Sequence, residues 1–492
     1  MNTSSLRATR ALTLTALAVT CSASAFAQAA GAGQICDASR VASTYIGTTT
    51  GAMPTLALAS PLKLTPCASY TGFGTGEIST IVNRAGTIFM GPIYNDDGLY
   101  VARSKDNGAS WDQVQPLRAD GTSHVRIQPY MQIDPTTDRI FFSTGRSSIA
   151  KLELKTGFDL SYTDNGGDSW SNASIEVNAI DWGKLLPGAP VTGTRTSGYP
   201  NNLYFSTPTP ISTPAIIVNP KSQAVMKSTD GGASWAQVGS FSIVAKDYGC
   251  PASEYVLWGD GVVAPDGTIY IGGRRCNQFA LSVSKDEGKT WTVTPVPGAQ
   301  LIDYKFVTNV PFNPNYIMPT PVTIDSAGNL YVVYPDVKDL LRLTVSRDKG
   351  KTWTKPVVIS DPKVTAVIYP AITVKKPGTI AIAYYGSSDR KKFSGYMAES
   401  VNALSGLPVF KSQTINDPAE PLHPAYFDVG YLWMFLGGDL NEIVQVRYAP
   451  NGDLLTAFTQ DMCPLSNCRA DWDFTAHAKS KWQAVLGRLV HN

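Results

Sequence analysis

The chain has 492 residues, 43% of them apolar, 16% charged and 10% aromatic, which excludes a disordered or collagen-like polymer and leaves material for a large core. Its 42 glycines and 33 prolines, together with many Val, Ile, Thr, Tyr and Trp residues, suit a turn-rich β architecture better than a helical one. A formal charge of +2 with no long basic run gives no footing for nucleic acid or an anionic membrane surface.

Residues 1–27 read as a secretory signal peptide. Arg7 and Arg10 form a basic start, Ala11 to Val19 an apolar run, and Ala25-Phe26-Ala27 a small-x-small cleavage pattern. Cys21 lacks the surroundings of a lipoprotein cysteine. The run is too short to span a bilayer, and no other stretch is long enough. The expected product is a periplasmic or secreted protein, monomeric, with acids and bases in balance once the two leader arginines are gone. Six cysteines then remain: Cys36, Cys67, Cys250, Cys276, Cys463 and Cys468. An even number in an exported chain predicts up to three disulfides, and neighbouring pairs close the shortest loops, although spacing alone leaves the pairing open.

Five octets follow one pattern: Ser104–Trp111, Thr163–Trp170, Ser228–Trp235, Ser284–Trp291 and Ser346–Trp353. Each has Ser or Thr first, Asp or Asn third, Gly fifth and Trp last, and their starts are separated by 59, 65, 56 and 62 residues. Ser, Thr and Asp oxygens can bind backbone N–H groups inside a tight turn, Gly adopts a conformation other residues resist, and Trp returns to bury an apolar face. Each octet follows an apolar strand, and a hairpin lies upstream, as in Gly261–Ile271 turning at Asp266-Gly267. Comparable hairpins are expected at Ile81–Met90, Met131–Phe142, Val322–Val333, Ile372–Ala383 and Val444–Ala457. A unit of four strands repeated at this interval predicts an all-β propeller of seven blades, with six as the alternative. The blades near 367–410 and 426–475 lack an octet, and the third is the least clear.

The octets are Asp boxes, and the repeats resemble those of the sialidase (neuraminidase) β-propeller superfamily from about Gly74 to Thr459. The expected organisation is a propeller over 74–492 with a segment at 28–73 that packs on it or closes it. The resemblance places the octets on the outer rim, away from a central pocket. It also implies three carboxylate-binding arginines, a tyrosine nucleophile with a glutamate beside it, and an aspartate acid/base. Glu77 stands where the first arginine belongs, and Val262 to Ala264 fill the region of the glutamate. Arg126, Arg274, Arg275 and Arg342 are the candidate substrate-binding residues. Tyr369 is the candidate nucleophile, Asp97 (with Asp96 beside it) the acid/base, and His423 a general base. His124, His423, His477 and His491 show no metal-ligand spacing, and no cofactor is called for. The expected function is an exported hydrolase or lyase acting on a carbohydrate or similar polar compound at the channel mouth. The competing reading is a propeller that only binds a glycan or a protein.

Overall fold

The computed structural model describes residues 33–50, 52–56, 64–95, 98–116, 125–150, 153–179, 182–191, 198–209, 221–250, 258–301, 320–423, 445–461 and 482–491. Seven antiparallel blades surround one axis. Their inner strands are Ser79–Val82, Val125–Ile133, Lys184–Gly188, Trp258–Val263, Val322–Ile324, Ala366–Lys376 and Val446–Tyr448. Neighbouring inner strands touch in order around a closed ring. The third blade is complete, with strands at Lys184–Gly188, Asn202–Thr209, Ser222–Ser228 and Ala236–Ser242. Its first hairpin lacks a short turn, the connection running from residue 189 to 201, which is why the hairpin signal is weak there.

The core is divided into seven apolar clusters, one between each pair of neighbouring blades. The strand Leu330–Pro335 shows how sequence dictates this. Leu330, Val332 and Tyr334 pack towards the fourth blade while Tyr331 and Val333 pack towards the sixth. A strand buried on both faces needs an unbroken apolar run, and the two-residue period divides it between its neighbours.

The octets are the turns between the third and fourth strands of the first five blades. In the first, the Ser104 hydroxyl donates to Asp106 Oδ1 at 2.8 Å, and the Gly108 N–H donates back to Ser104 Oγ at 2.8 Å. The Ser110 N–H donates to Asp106 Oδ1, also at 2.8 Å. The same bonds recur about Asn165, Asp230, Asp286 and Asp348. The fifth-position glycines have φ between 84° and 101°, the left-handed region in which a Cβ is strained. These bonds hold the octet aspartates low; that of Asp348, chiefly from the Thr352 hydroxyl, reaches about 2. The five octet tryptophans are partly rather than fully buried, each resting on the edge of an inter-blade cluster. A sixth, degenerate turn of this kind occurs in the sixth blade, where Ser400 Oγ donates to Asn402 Oδ1 at 3.1 Å.

The seventh blade is completed from the opposite end of the chain. Val446–Tyr448, Leu454–Asp461 and Trp482–His491 supply three strands, and Leu64–Gly74 pairs with the last as the fourth. Gly33–Cys36 adds an outer strand to it, while Ser43–Ile46 and Thr55–Leu56 extend the sixth blade. Among the described residues two disulfides form, Cys36–Cys67 and Cys250–Cys276. Cys463, Cys468 and residues 1–27 lie outside the described residues. No helix among the described residues is long and apolar enough to cross a membrane.

Candidate functional site

Strand direction alternates within a blade, so the first hairpin turns and the octets share one end of the propeller. Bonds between blades reflect this: Arg139, beside the first turn of the second blade, donates to Gly231 O of the third octet at 2.8 Å. At this end the central channel opens into a cavity of about 680 Å³ lined from all seven inner strands. The hairpin residues Arg84, Pro135, Asp138 and Pro450 stand around its mouth.

The repeat itself sets which side chains ring the channel. Asn83, Asp134, Ala264, Asp325 and Ala449 each open a first turn by donating their N–H across it. Four residues before them come Ser79, Tyr130, Asp260, Pro321 and Gln445, of which all but Ser79 line the cavity. Tyr130 is 4% exposed, and Lys184 places its ammonium 4.6 Å above the Tyr130 ring. Asp260 faces the Tyr130 hydroxyl, Lys184 and Arg447. Gln445 Nε2 donates to Met131 O at 2.6 Å, and Arg447 donates to Gln132 Oε1 at 2.7 Å. Gln132 Nε2 in turn donates to Leu185 O at 3.3 Å. Gln132 is thereby fixed against the neighbouring third blade, while Gln445 and Arg447 reach past the first blade to the second.

The ring leaves polar capacity unused. Asp260 Oδ1, Gln445 Oε1 and Arg447 Nε are out of solvent with no hydrogen-bond partner. Burial pushes the Asp260 carboxyl above its ordinary value, against the pull of Lys184, Arg447 and Tyr130. Burial also lowers the Arg447 guanidinium and holds the Tyr130 hydroxyl well above its ordinary value. A carboxyl raised by burial, next to two cations and fixed amides, is placed to exchange a proton with a ligand oxygen while the cations bind developing negative charge. At the mouth Tyr448 donates to Glu399 Oε1 at 3.0 Å, and Glu399 Oε2 lies 2.8 Å from His491 Nε2.

Those of the residues singled out from the sequence whose side chains are described fall elsewhere. Tyr369 is 2% exposed and stands edge-on to Tyr385 at 6.2 Å. Tyr385 packs edge-on to His423 at 5.0 Å, and its hydroxyl lies 3.1 Å from Thr459 Oγ1. Tyr369 and His423 are thus brought into one buried cluster between the sixth and seventh blades. Arg274 is buried in the second strand of the fourth blade at 3% exposure. Arg275 lies over Tyr248 at 5.5 Å, beside the Cys250–Cys276 disulfide. Arg342 is on the third strand of the fifth blade, paired with Asp336 at 2.5 Å. Arg126 is on the second inner strand opposite Arg146, its side chain outside the described residues, as are Asp96 and Asp97. Among the described residues no group of three His, Cys, Asp or Glu side chains gathers as a metal site.

Tyr130, Lys184, Asp260, Gln445 and Arg447 were not anticipated. For Tyr130, Asp260 and Gln445 the available signal was a polar residue four positions before a first turn; Lys184 and Arg447 stand outside that offset.

No protein-family model and no curated protein matches the chain. Solved propellers do. A sialidase of Streptococcus pneumoniae is 12% identical over 73% of this chain and 71% of its own, with a TM-score of 0.40. An intramolecular trans-sialidase from Ruminococcus gnavus is 11% identical over 84% and 93%, with a TM-score of 0.38. A lectin of Aleuria aurantia is 12% identical over 66% and 91%, with a TM-score of 0.37.

Proposed function

We propose that the protein is exported and acts on a carbohydrate or similar polar extracellular compound in the octet-side channel, by hydrolysis or lyase chemistry. The observation that supports this is Asp260, a carboxyl pushed up by burial with one oxygen unpartnered, among Tyr130, Lys184 and Arg447. The cavity falls within the roughly 300–1,000 Å³ of small-ligand pockets. In hydrolysis, protonated Asp260 gives its proton to the leaving-group oxygen as the bond to carbon breaks. Water adds to that carbon, and its spare proton restores the acid. Lys184 and Arg447 favour the anionic character that develops on oxygen.

The test is a panel of polysaccharides scored for new reducing ends and for unsaturated products, with wild type and Asp260→Asn. Loss of at least about 100-fold in rate is expected for the variant; an unchanged rate overturns the assignment. Saccharide binding without turnover, weakened by Asp260→Asn, would instead establish a binding propeller. The fixed amides Gln132 and Gln445 favour that second reading, since both serve recognition without chemistry. A fluorogenic sialoside is expected to go unturned. Glu77, 8% exposed, precedes the first inner strand at the end away from the octets, so a sialoside carboxylate seated there, where a sialidase presents an arginine, would meet a like charge. Turnover at ordinary sialidase rates would refute this.

A further inference from the structure

A second cavity, of about 200 Å³, lies at the outer edge of the sixth blade, where the strand Ser43–Ile46 is laid against Val409–Thr414. One face of Tyr396 is covered by Tyr384, the rings 5.4 Å apart and 4° from parallel. Tyr396 lines the cavity with Gln413, Asp361, Ser43, Arg40 and Lys363. Gln413 is 7% exposed; its Oε1 accepts the Thr414 N–H at 3.2 Å, whereas its Nε2 is buried with no partner. Asp361 is 2% exposed and accepts the Lys363 N–H at 3.0 Å through Oδ1. Arg40 reaches in from the N-terminal segment and donates to Thr414 Oγ1.

We propose that this cavity is a second binding site, for one neutral sugar ring, independent of the channel and its chemistry. The volume equals that of about seven waters at roughly 30 Å³ each, the size of a single hexose. An aromatic ring offers a face to the C–H side of a sugar, and an amide donor with a carboxylate acceptor offers the pairing a vicinal diol needs. Charge argues against an anion. Arg40 and Lys363 are offset by Asp361 and by Asp37 and Asp417, which act on Arg40. An unpartnered buried amide is costly in the empty protein, and a ligand hydroxyl would satisfy it.

The experiment is saturation-transfer NMR and calorimetry of the mature protein with glucose, galactose, mannose and N-acetylglucosamine. Wild type, Gln413→Glu, Arg40→Ala and Asp260→Asn are compared, with melting temperatures checked for each. Gln413→Glu keeps an acceptor for Thr414, replaces the donor with an oxygen and adds a negative charge near Asp361, whereas Arg40→Ala adds none. At least one sugar should bind wild type and Asp260→Asn alike, and bind Gln413→Glu and Arg40→Ala at least 10-fold more weakly. Arg40→Ala decides the matter if Gln413→Glu does not fold. Binding lost in Asp260→Asn and kept in the other two would move the sugar to the channel and overturn the proposal. Failure of wild type to bind any of the four at millimolar concentration would overturn it as well, leaving the channel reading to its own assay.

Discussion

Asp260 and His491 are titrating residues whose environments shift them in ways stability measurements can read. The folded-state carboxyl of Asp260 lies above its unfolded value, so ionisation opposes folding, and stability falls as pH rises through that interval. Asp260→Asn removes the penalty. Its melting temperature should equal or exceed that of wild type at neutral pH even as activity is lost, whereas a structural aspartate would melt lower on substitution. For His491 the direction with pH is the same, although here the fold favours the charged form. Glu399 raises the imidazole, and His491 in turn helps lower Glu399. The histidine contribution is full below about pH 6.5 and is lost as pH rises through the raised value. The glutamate contribution is full above about pH 4.3 and is lost as pH falls through the lowered one. Between these limits His491→Gln should melt about one or two degrees below wild type, and the gap should shrink above neutrality. A gap independent of pH would show that the pair contributes only by packing. Because Glu399 also holds Tyr448 at the channel mouth, ligand affinity should follow the same profile.

At the scale of elements, the octet separates what a sequence reveals from what it conceals. Its bonds join residues two to four positions apart, so side-chain type and spacing specify the turn, and five octets with their hairpins yield the blades. The turn at Ser400 escaped notice because its glycine and tryptophan are missing, although its first side-chain bond survives. The channel ring was illegible for the converse reason. Tyr130, Lys184, Asp260 and Arg447 come from four different blades, and only closure of the propeller brings them together. Tyr369 and His423 do meet, but in a buried cluster rather than in the octet-side channel. Partial burial of the tryptophans sets the size of another prediction. Replacing Trp170, Trp235, Trp291 or Trp353 with Ala should cost about 2–3 kcal/mol in denaturant unfolding, less than full burial would imply. Each of these indoles also donates to its octet glycine carbonyl, at 2.8 to 3.2 Å. Trp111 Nε1 has no partner, so Trp111→Ala should cost about 1 kcal/mol less than the others.

At the scale of the molecule, the loop closed by Cys36–Cys67 leaves the seventh blade, adds two strands to the sixth and returns. The disulfide joins two paired strands of the seventh blade, the seam of the ring, and so ties the base of the loop that reaches the sixth. A loop spanning 31 residues corresponds to about 3–4 kcal/mol of chain entropy. Cys36→Ser with Cys67→Ser should lower unfolding stability by that order while leaving the far-ultraviolet spectrum β-rich. A loss below about 1 kcal/mol would show that strand pairing alone holds the seam.

That seam also imposes an order on the birth of the molecule. The Thr71 hydroxyl bonds the Ala484 carbonyl across 413 residues of chain, and the strands carrying them pair along their length. The strand Leu64–Gly74, synthesised early, has only Gly33–Cys36 and an end contact with Tyr94 beside it until the final strand has emerged, so successive blades can stack while the circle stays open. Through that interval both rims of the growing arc present bare backbone donors and acceptors to other chains. Contacts this distant are slow to form. The stage at which this protein is most exposed to aggregation is therefore the last one, when nearly every blade is already native.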